Sequence, residues 1–192
     1  MVADVQAVRC REISHRREFG RLLKFRGLMR YAAEVGTHRG EFAAEFYAGW
    51  QGERLYCVDP WKNPPGYSDP AGRGDRDEDL RVARERLADE IASRKVWLFI
   101  ERSIEASKRF PAEYFDFVYI DADHRREQVL ADCLAWWPLV RRGGILAGHD
   151  WFGEWKSNVR AGVVDFCVAA KVQVVNYFPD DDVAGSWFIT KE

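Results

Sequence analysis

No run of apolar residues in the sequence approaches the length of about eighteen that a membrane-spanning helix requires. A helical membrane span is thereby excluded. Cysteine is scarce and scattered. Cys10, Cys57, Cys133 and Cys167 form no CxxC pair and no regular spacing, which excludes a zinc ribbon or a disulfide framework. Three of them, Cys57, Cys133 and Cys167, sit in apolar runs and are expected as buried free thiols of a reducing compartment. Excess charge is lacking too: 29 Lys and Arg stand against 31 Asp and Glu, and a net charge of -2 offers no broad attraction to a polyanion or an acidic membrane. The stretch MVADVQAVRCREISHRREFGR carries acids and no continuous apolar segment, so it does not read as a signal peptide. A cytoplasmic protein acting on a small molecule, with no nucleic-acid and no membrane partner, is the expectation.

What the chain has is apolar material. Hydrophobic residues make up 47% of 192 and aromatics 14%, with eight Trp, enough for one packed domain. Residues 1–24 are charged and expected as a helical appendage, with the domain proper at 25–192. There short apolar runs alternate with longer amphipathic ones, the pattern of a parallel sheet covered on both faces by helices. Seven strands are expected, at YAAEV (31–35), RLYCVD (54–59), VWLFIE (96–101), FDFVYID (115–121), GGILAGHD (143–150), VQVVNYF (172–178) and SWFIT (186–190). Helices are expected at about 39–50, 79–93, 104–109, 125–140 and 157–170. Only PDDDVAG separates the last two strands, too short for a parallel crossover, so they should pair as an antiparallel hairpin. The fold class is therefore α/β: a Rossmann-like three-layer sandwich with a seven-stranded, mostly parallel sheet. One long irregular segment, 61–79, is rich in Pro, Gly and Asp and reads as a lid or binding loop.

In open parallel sheets, ligands bind at the carboxyl ends of strands near the reversal of strand order. Every polar cluster of interest falls at such an end. EVGTHRG follows the first expected strand; Gly36 would permit a tight turn and close approach by a ligand, and Gly40 close packing of the next helix. Asp59 ends the second strand and could accept hydrogen bonds from both hydroxyls of a ribose, or cap the turn before Pro60. Ser103, after the third, either meets an adenine edge or serves as a plain N-cap. In YIDADH, two carboxylates and an imidazole, Asp121, Asp123 and His124, crowd where a buried strand surfaces. Asp123 could cap the following helix, whereas Asp121 should face His149 and Asp150 at the tip of the adjacent strand.

EVGTHRG, VDPW, FDFVYIDADH and LVRRGGILAGHDW, in this order, resemble the class I S-adenosylmethionine-dependent methyltransferases, and more narrowly the small metal-dependent O-methyltransferases related to the catechol and caffeoyl-CoA enzymes. The resemblance covers nearly everything after about residue 25. It implies that Glu34, Gly36 and the backbone around Thr37 and His38 hold the methionine part of S-adenosylmethionine, with Gly40 and Asp121 also in the cofactor site. Asp59 would hold the ribose, Ser103 the adenine region, and Asp121, His149 and Asp150 a divalent cation beside the cofactor.

A cation suits the chemistry, since it lowers the pKa of an acceptor hydroxyl and fixes its oxygen in line with the sulfonium methyl. His124, where the caffeoyl-CoA type has a lysine, and His149 are the candidate catalytic bases. The family pair at 149–150 is usually Asp-Asn. An imidazole there leaves open Mg²⁺ or Mn²⁺ with His149 as ligand or base, or catalysis without metal. NPPGY (63–67) resembles the motif of amino-methylating nucleic-acid enzymes, but it is interrupted by glycine and follows the wrong strand. Trp61, Trp151 and Trp155 could form stacking platforms for a sugar or aromatic acceptor. The expectation is methyl transfer to a hydroxyl of a carbohydrate or secondary metabolite, with a homodimer suggested by an exposed hairpin and tryptophan-rich surfaces. The alternatives are a metal-independent methyltransferase, a nucleotide-binding or oxidoreductase domain with a similar sheet, and a silent binding protein.

Overall fold

The computed structural model describes residues 5–63, 74–152, 156–180 and 184–192. In chain order the elements begin with Gln6–Arg9 (β1), a 3-10 turn at Arg16–Glu18, Phe19–Phe25 (α1), Tyr31–Val35 (β2), Glu41–Trp50 (α2) and Arg54–Val58 (β3). Arg76–Arg86 (α3), Ala88–Ala92 (α4), Val96–Phe99 (β4), Ser103–Ser107 (α5) and Phe115–Ile120 (β5) follow. Arg126–Trp136 (α6), Val140–Gly148 (β6), Lys156–Ala170 (α7), Val174–Phe178 (β7) and Ser186–Thr190 (β8) complete the chain.

The described residues form one sheet in the order β1-β7-β8-β6-β5-β2-β3-β4. Neighbouring strands are parallel except at β8, which is antiparallel to both β6 and β7. The strand order reverses between β2 and β5, which pair directly. Because β5 is buried on both faces, its sequence FDFVYI is apolar and aromatic except at Asp116, with no alternation. Phe117 and Tyr119 point into a core with α1 and α2, while Val118 and Ile120 point into a second core with α6 and α7. Asp116, also fully buried in β5, accepts from the Arg30 backbone N–H at 2.7 Å and from the Arg141 guanidinium.

Among the described residues eight strands are present where seven were expected, because the expected helical appendage includes a strand, Gln6–Arg9. Its backbone completes the open edge of β7, with the Gln6 N–H donating to Gln173 O at 2.8 Å and the Cys10 N–H to Tyr177 O at 2.7 Å. All four β1 residues are exposed. The following segment enters the core: Phe19 is fully buried, with its ring 5.1 Å from that of Phe117 and within 6.0 Å of those of Tyr119, Phe178 and Phe188. The expected hairpin forms, and its edges pair with β6 and β1. The helix expected at 79–93 starts at Arg76, where Asp75 accepts from the N–H groups of Asp77 and Glu78, and turns at Leu87, which drops into the core. β6 starts three residues early, across a register shift opposite Phe115 and Phe117 that absorbs Arg141–Gly144.

Candidate functional site

Gly36 has φ +96, and a Cβ on it would lie 1.9 Å from the backbone oxygen of Asp121. Only glycine fits. The turn is pinned by the Gly36 N–H donating to Val58 O at 2.8 Å and the Asp121 N–H donating to Val35 O at 2.8 Å. The chain thereby brings the ends of β2, β3 and β5 together at the reversal of strand order. There lies a cavity of about 390 Å³, lined by Gly36, His38, Asp59, Ser103, Asp121, His124, His149 and Asp150 among others. This volume falls within the roughly 300–1,000 Å³ usual for small-molecule sites. His38, Trp61 and Asp150, all at strand ends around it, hold left-handed backbone with φ of 50, 41 and 58. Such outliers persist where surrounding structure fixes them.

Not every expected residue faces this cavity. Glu34, Thr37 and Gly40 lie behind the turn: Glu34 and Thr37 are 2% and 3% exposed, and Gly40, at φ +73, packs on Leu87. One carboxylate oxygen of Glu34 and the Thr37 hydroxyl are buried without a hydrogen-bond partner. Burial pushes the Glu34 carboxyl well above its ordinary pKa, and the charges of Asp121 and Asp59 add to this. Asp59 already has partners: Oδ2 accepts from the His38 N–H at 2.9 Å, and Oδ1 from the Trp61 N–H at 2.7 Å and Arg76 at 3.3 Å. Arg76 also pairs with buried Asp79, which Arg39 and His38 flank. Asp59 therefore caps two turns and still lines the cavity. The Ser103 hydroxyl accepts from Trp136 Nε1 at 2.9 Å.

At the tips of β5 and β6 two acids meet two histidines. His124 Nε2 lies 3.0 Å from Asp150 Oδ2 and 3.7 Å from Asp121 Oδ1. His149 Nδ1 lies 3.3 Å from Asp150 Oδ2 and 3.8 Å from Asp121 Oδ2. Burial opposes charge on both rings, but the carboxylates outweigh it and raise His124 to about 11 and His149 to about 9. Against the same burial, the two imidazoles hold Asp150 well below the usual carboxylate range. Asp121, His124 and Asp150 each offer a ligand atom within 4.8 Å of the others, a spacing that could hold a metal ion. The expected set named His149 as the third ligand; the group within 4.8 Å contains His124, and His149 Nδ1 lies beside it, 3.3 Å from Asp150 Oδ2.

Several participants had not been expected. Arg16 reaches Asp121 Oδ2 at 3.7 Å, and its backbone N–H donates to Asp180 Oδ1 at 2.6 Å. Asp180 Oδ2 accepts from the Ser186 hydroxyl at 2.5 Å and lies 3.9 Å from His149 Nε2. No local pattern marks either residue, since each reaches the site from a distant part of the chain. Asp132 and Gln128 line the cavity from α6. Here a signal existed: Val129, Asp132, Cys133 and Trp136 share the helix's buried stripe, on which Asp132 is the one acid. Asp123 holds the turn before α6, accepting from the Arg125 N–H at 3.0 Å. Trp61 and Trp151 are 4% and 1% exposed, so they pack and offer no open stacking face. Trp155 and residues 64–67 of NPPGY lie outside the described residues.

Residues 33–151 match a family model described as a methyltransferase domain, which spans the glycine turn, Asp59 and the acid–histidine cluster. The chain belongs to this methyltransferase family. No curated protein matches it. Among solved structures, the methyltransferase domain is similar to the O-methyltransferase TomG from Streptomyces achromogenes, solved with S-adenosylmethionine, at 15% identity and a TM-score of 0.65, covering 92% of this chain and 79% of that one. It is also similar to a caffeoyl-CoA O-methyltransferase, so described provisionally, from Staphylococcus aureus, at 15% identity and a TM-score of 0.64, covering 91% and 81%. An rRNA methylase from Clostridium thermocellum, again a provisional description, matches at 14% identity and a TM-score of 0.63, covering 94% and 99%. At such identities the likeness establishes the Rossmann-like methyltransferase fold and leaves the acceptor open. Among the described residues, no helix is long and apolar enough to cross a membrane.

Proposed function

We propose that the chain transfers a methyl group from S-adenosylmethionine to a hydroxyl of a small molecule such as a carbohydrate or secondary metabolite, assisted by a divalent cation, Mg²⁺ or Mn²⁺. The observation that carries this reading is the meeting, in one cavity, of the Gly36 cradle with Asp121, His124, His149 and Asp150. The cofactor fits the residues present. A turn that tolerates no Cβ, an acid at the end of β3 and a polar shelf at Ser103 are features that suit a nucleoside and its amino-acid tail. On this reading Asp59, braced by two backbone N–H groups and Arg76, would take ribose hydroxyls, and the backbone of the turn would hold the methionine tail.

The donor set fits a cation as well. Asp121, Asp150 and His124 would hold it, with His149 beside them, and carboxylate oxygens with imidazole nitrogen suit Mn²⁺ or a similar ion at least as well as Mg²⁺. When bound, the ion supplies Lewis acidity that favours the ionised acceptor hydroxyl. The protein orients: Asp180 and Arg16 brace His149 and Asp121 from behind. Without a cation the neighbouring carboxylates favour the protonated form of both imidazoles, and His124 would give up that proton to hold the ion. Metal-free base catalysis by His124 or His149 is accordingly the weaker reading.

Labelled S-adenosylmethionine offered with sugars and catechols tests the proposal. The expected result is label on a hydroxyl oxygen, loss of turnover on chelation, and recovery with Mn²⁺ or Mg²⁺. Asp150→Ala should lower kcat/KM by about a hundredfold or more. Label found solely on an amine or a nucleic acid would reject O-methylation, and full activity after exhaustive chelation would reject the metal.

A further inference from the structure

Two buried carboxylates share one guanidinium beside the cavity. Asp59 and Asp79 are 4% and 1% exposed, and Arg76, in the first turn of α3, reaches both. Its Nη1 donates to Asp79 Oδ2 at 2.9 Å, and its Nη2 to Asp59 Oδ1 at 3.3 Å. Asp79 also accepts from Arg39 Nε at 2.7 Å and lies 3.4 Å from His38 Nε2. The start of α3 is thereby tied to the glycine turn after β2 and to the turn after β3. Asp59, His38 and Arg76 line the cavity, and Asp79 stands behind them.

A carboxylate offers about four lone-pair sites, two on each oxygen. On Asp59 the Trp61 N–H and Arg76 occupy Oδ1, and the His38 N–H occupies one site of Oδ2. A single site remains, whereas a ribose that donates both hydroxyls needs two. The backbone donors cannot move aside: His38 and Trp61 both hold left-handed backbone, and Trp61 Nε1 donates to His38 O at 2.8 Å, locking one turn to the other. The contact able to give way is the side chain of Arg76, whose bond to Asp59 is the longest of the three. Asp79 supplies the guanidinium with a second carboxylate, so it stays paired when it releases Oδ1.

We propose that Asp79 is a positioning residue that draws Arg76 off Asp59, so that both oxygens of Asp59 are open to a diol and the cavity selects a nucleoside carrying both ribose hydroxyls. The inference rests on the S-adenosylmethionine reading above. Asp79 itself touches no ligand; it acts through Arg76.

Calorimetry with two ligands tests it: S-adenosylhomocysteine, and its analogue lacking both ribose hydroxyls. In the wild type, deleting the hydroxyls should weaken binding by about tenfold to a hundredfold, the range for hydrogen bonding to a charged group. Asp79→Asn keeps the shape and loses the charge, so Arg76 turns to Asp59 and the two ligands should bind within about threefold of each other. Adding Arg76→Met to that variant removes the competitor and should return the ratio to its wild-type range. A purely structural role for Asp79 would weaken both ligands equally and leave their ratio unchanged in the single variant. That outcome, or a ratio that stays narrow in the double variant, would overturn the proposal. Should Asp79→Asn not fold, Arg76→Met alone keeps the test: a ratio at or above the wild-type value is expected. A lower one would mean that Arg76 holds Asp59 in place instead of competing for it, which overturns the proposal. Equal binding of both ligands to the wild type would overturn the proposal while leaving the cofactor reading intact. No binding of S-adenosylhomocysteine to the wild type would overturn both.

Discussion

Gly36 is the residue on which the site's geometry turns. Because a Cβ there would strike backbone rather than a flexible side chain, the clash cannot be relieved by a rotamer change. Gly36→Ala should destabilise the fold by roughly 2–4 kcal/mol and abolish S-adenosylhomocysteine binding, read by urea denaturation and calorimetry; a variant of wild-type stability would contradict the described turn. Asp132 makes a second prediction at this scale. Its folded pKa of about 6 lies above the ordinary value of 3.8, so the folded state holds more protons than the unfolded state between these values. Stability from this group is therefore present below about pH 3.8 and lost as pH rises through 6, by on the order of 3 kcal/mol. Asp132→Asn removes that dependence. The stability of the variant relative to wild type should rise between pH 4 and pH 7, and a difference that stays flat would reject the assignment.

Elements differ in how plainly their sequences announce them. The interior strands are legible because burial on both faces demands mostly apolar residues, and YAAEV and SWFIT form strands with the expected bounds. Strand β1 is not legible: exposed at every position, it owes its place to backbone hydrogen bonds with β7, which leave no mark on side-chain pattern. The same contrast runs through the site. Asp121, His149 and Asp150 are readable because adjacent parallel strands must bring their tips together. Arg16 and Asp180 are not, since their approach depends on how α1 and β8 pack. Removing residues through Arg9 should lower the melting temperature by only a few degrees and promote association through the uncovered β7 edge. Phe19→Ala, in the segment that enters the core, should cost about 3–5 kcal/mol. Denaturant midpoints compare the two, and a reversed ranking would mean that the edge strand matters more than the buried ring.

At the scale of the whole molecule, the cavity joins both halves of the sheet, with β2, β3 and β4 on one side of the reversal and β5 and β6 on the other. A ligand that spans them adds its binding energy to folding. At a hundred times its dissociation constant, S-adenosylhomocysteine should stabilise the chain by about 2.7 kcal/mol, seen as a rise of about 5–10 °C in melting temperature. No shift at millimolar ligand would remove the cofactor assignment.

The antiparallel strand β8 has a temporal consequence. Residues 186–190 lie between β6 and β7, and Trp187 Nε1 donates to the backbone oxygen of His149 at 3.2 Å. During synthesis, β7 and β1 can reach the remainder of the sheet only through a strand that the ribosome has yet to make. A nascent chain halted before Ser186 would hold two unjoined pieces of sheet and a histidine lacking one of its backbone contacts, so the tip of β6 can be complete only once β8 has been made.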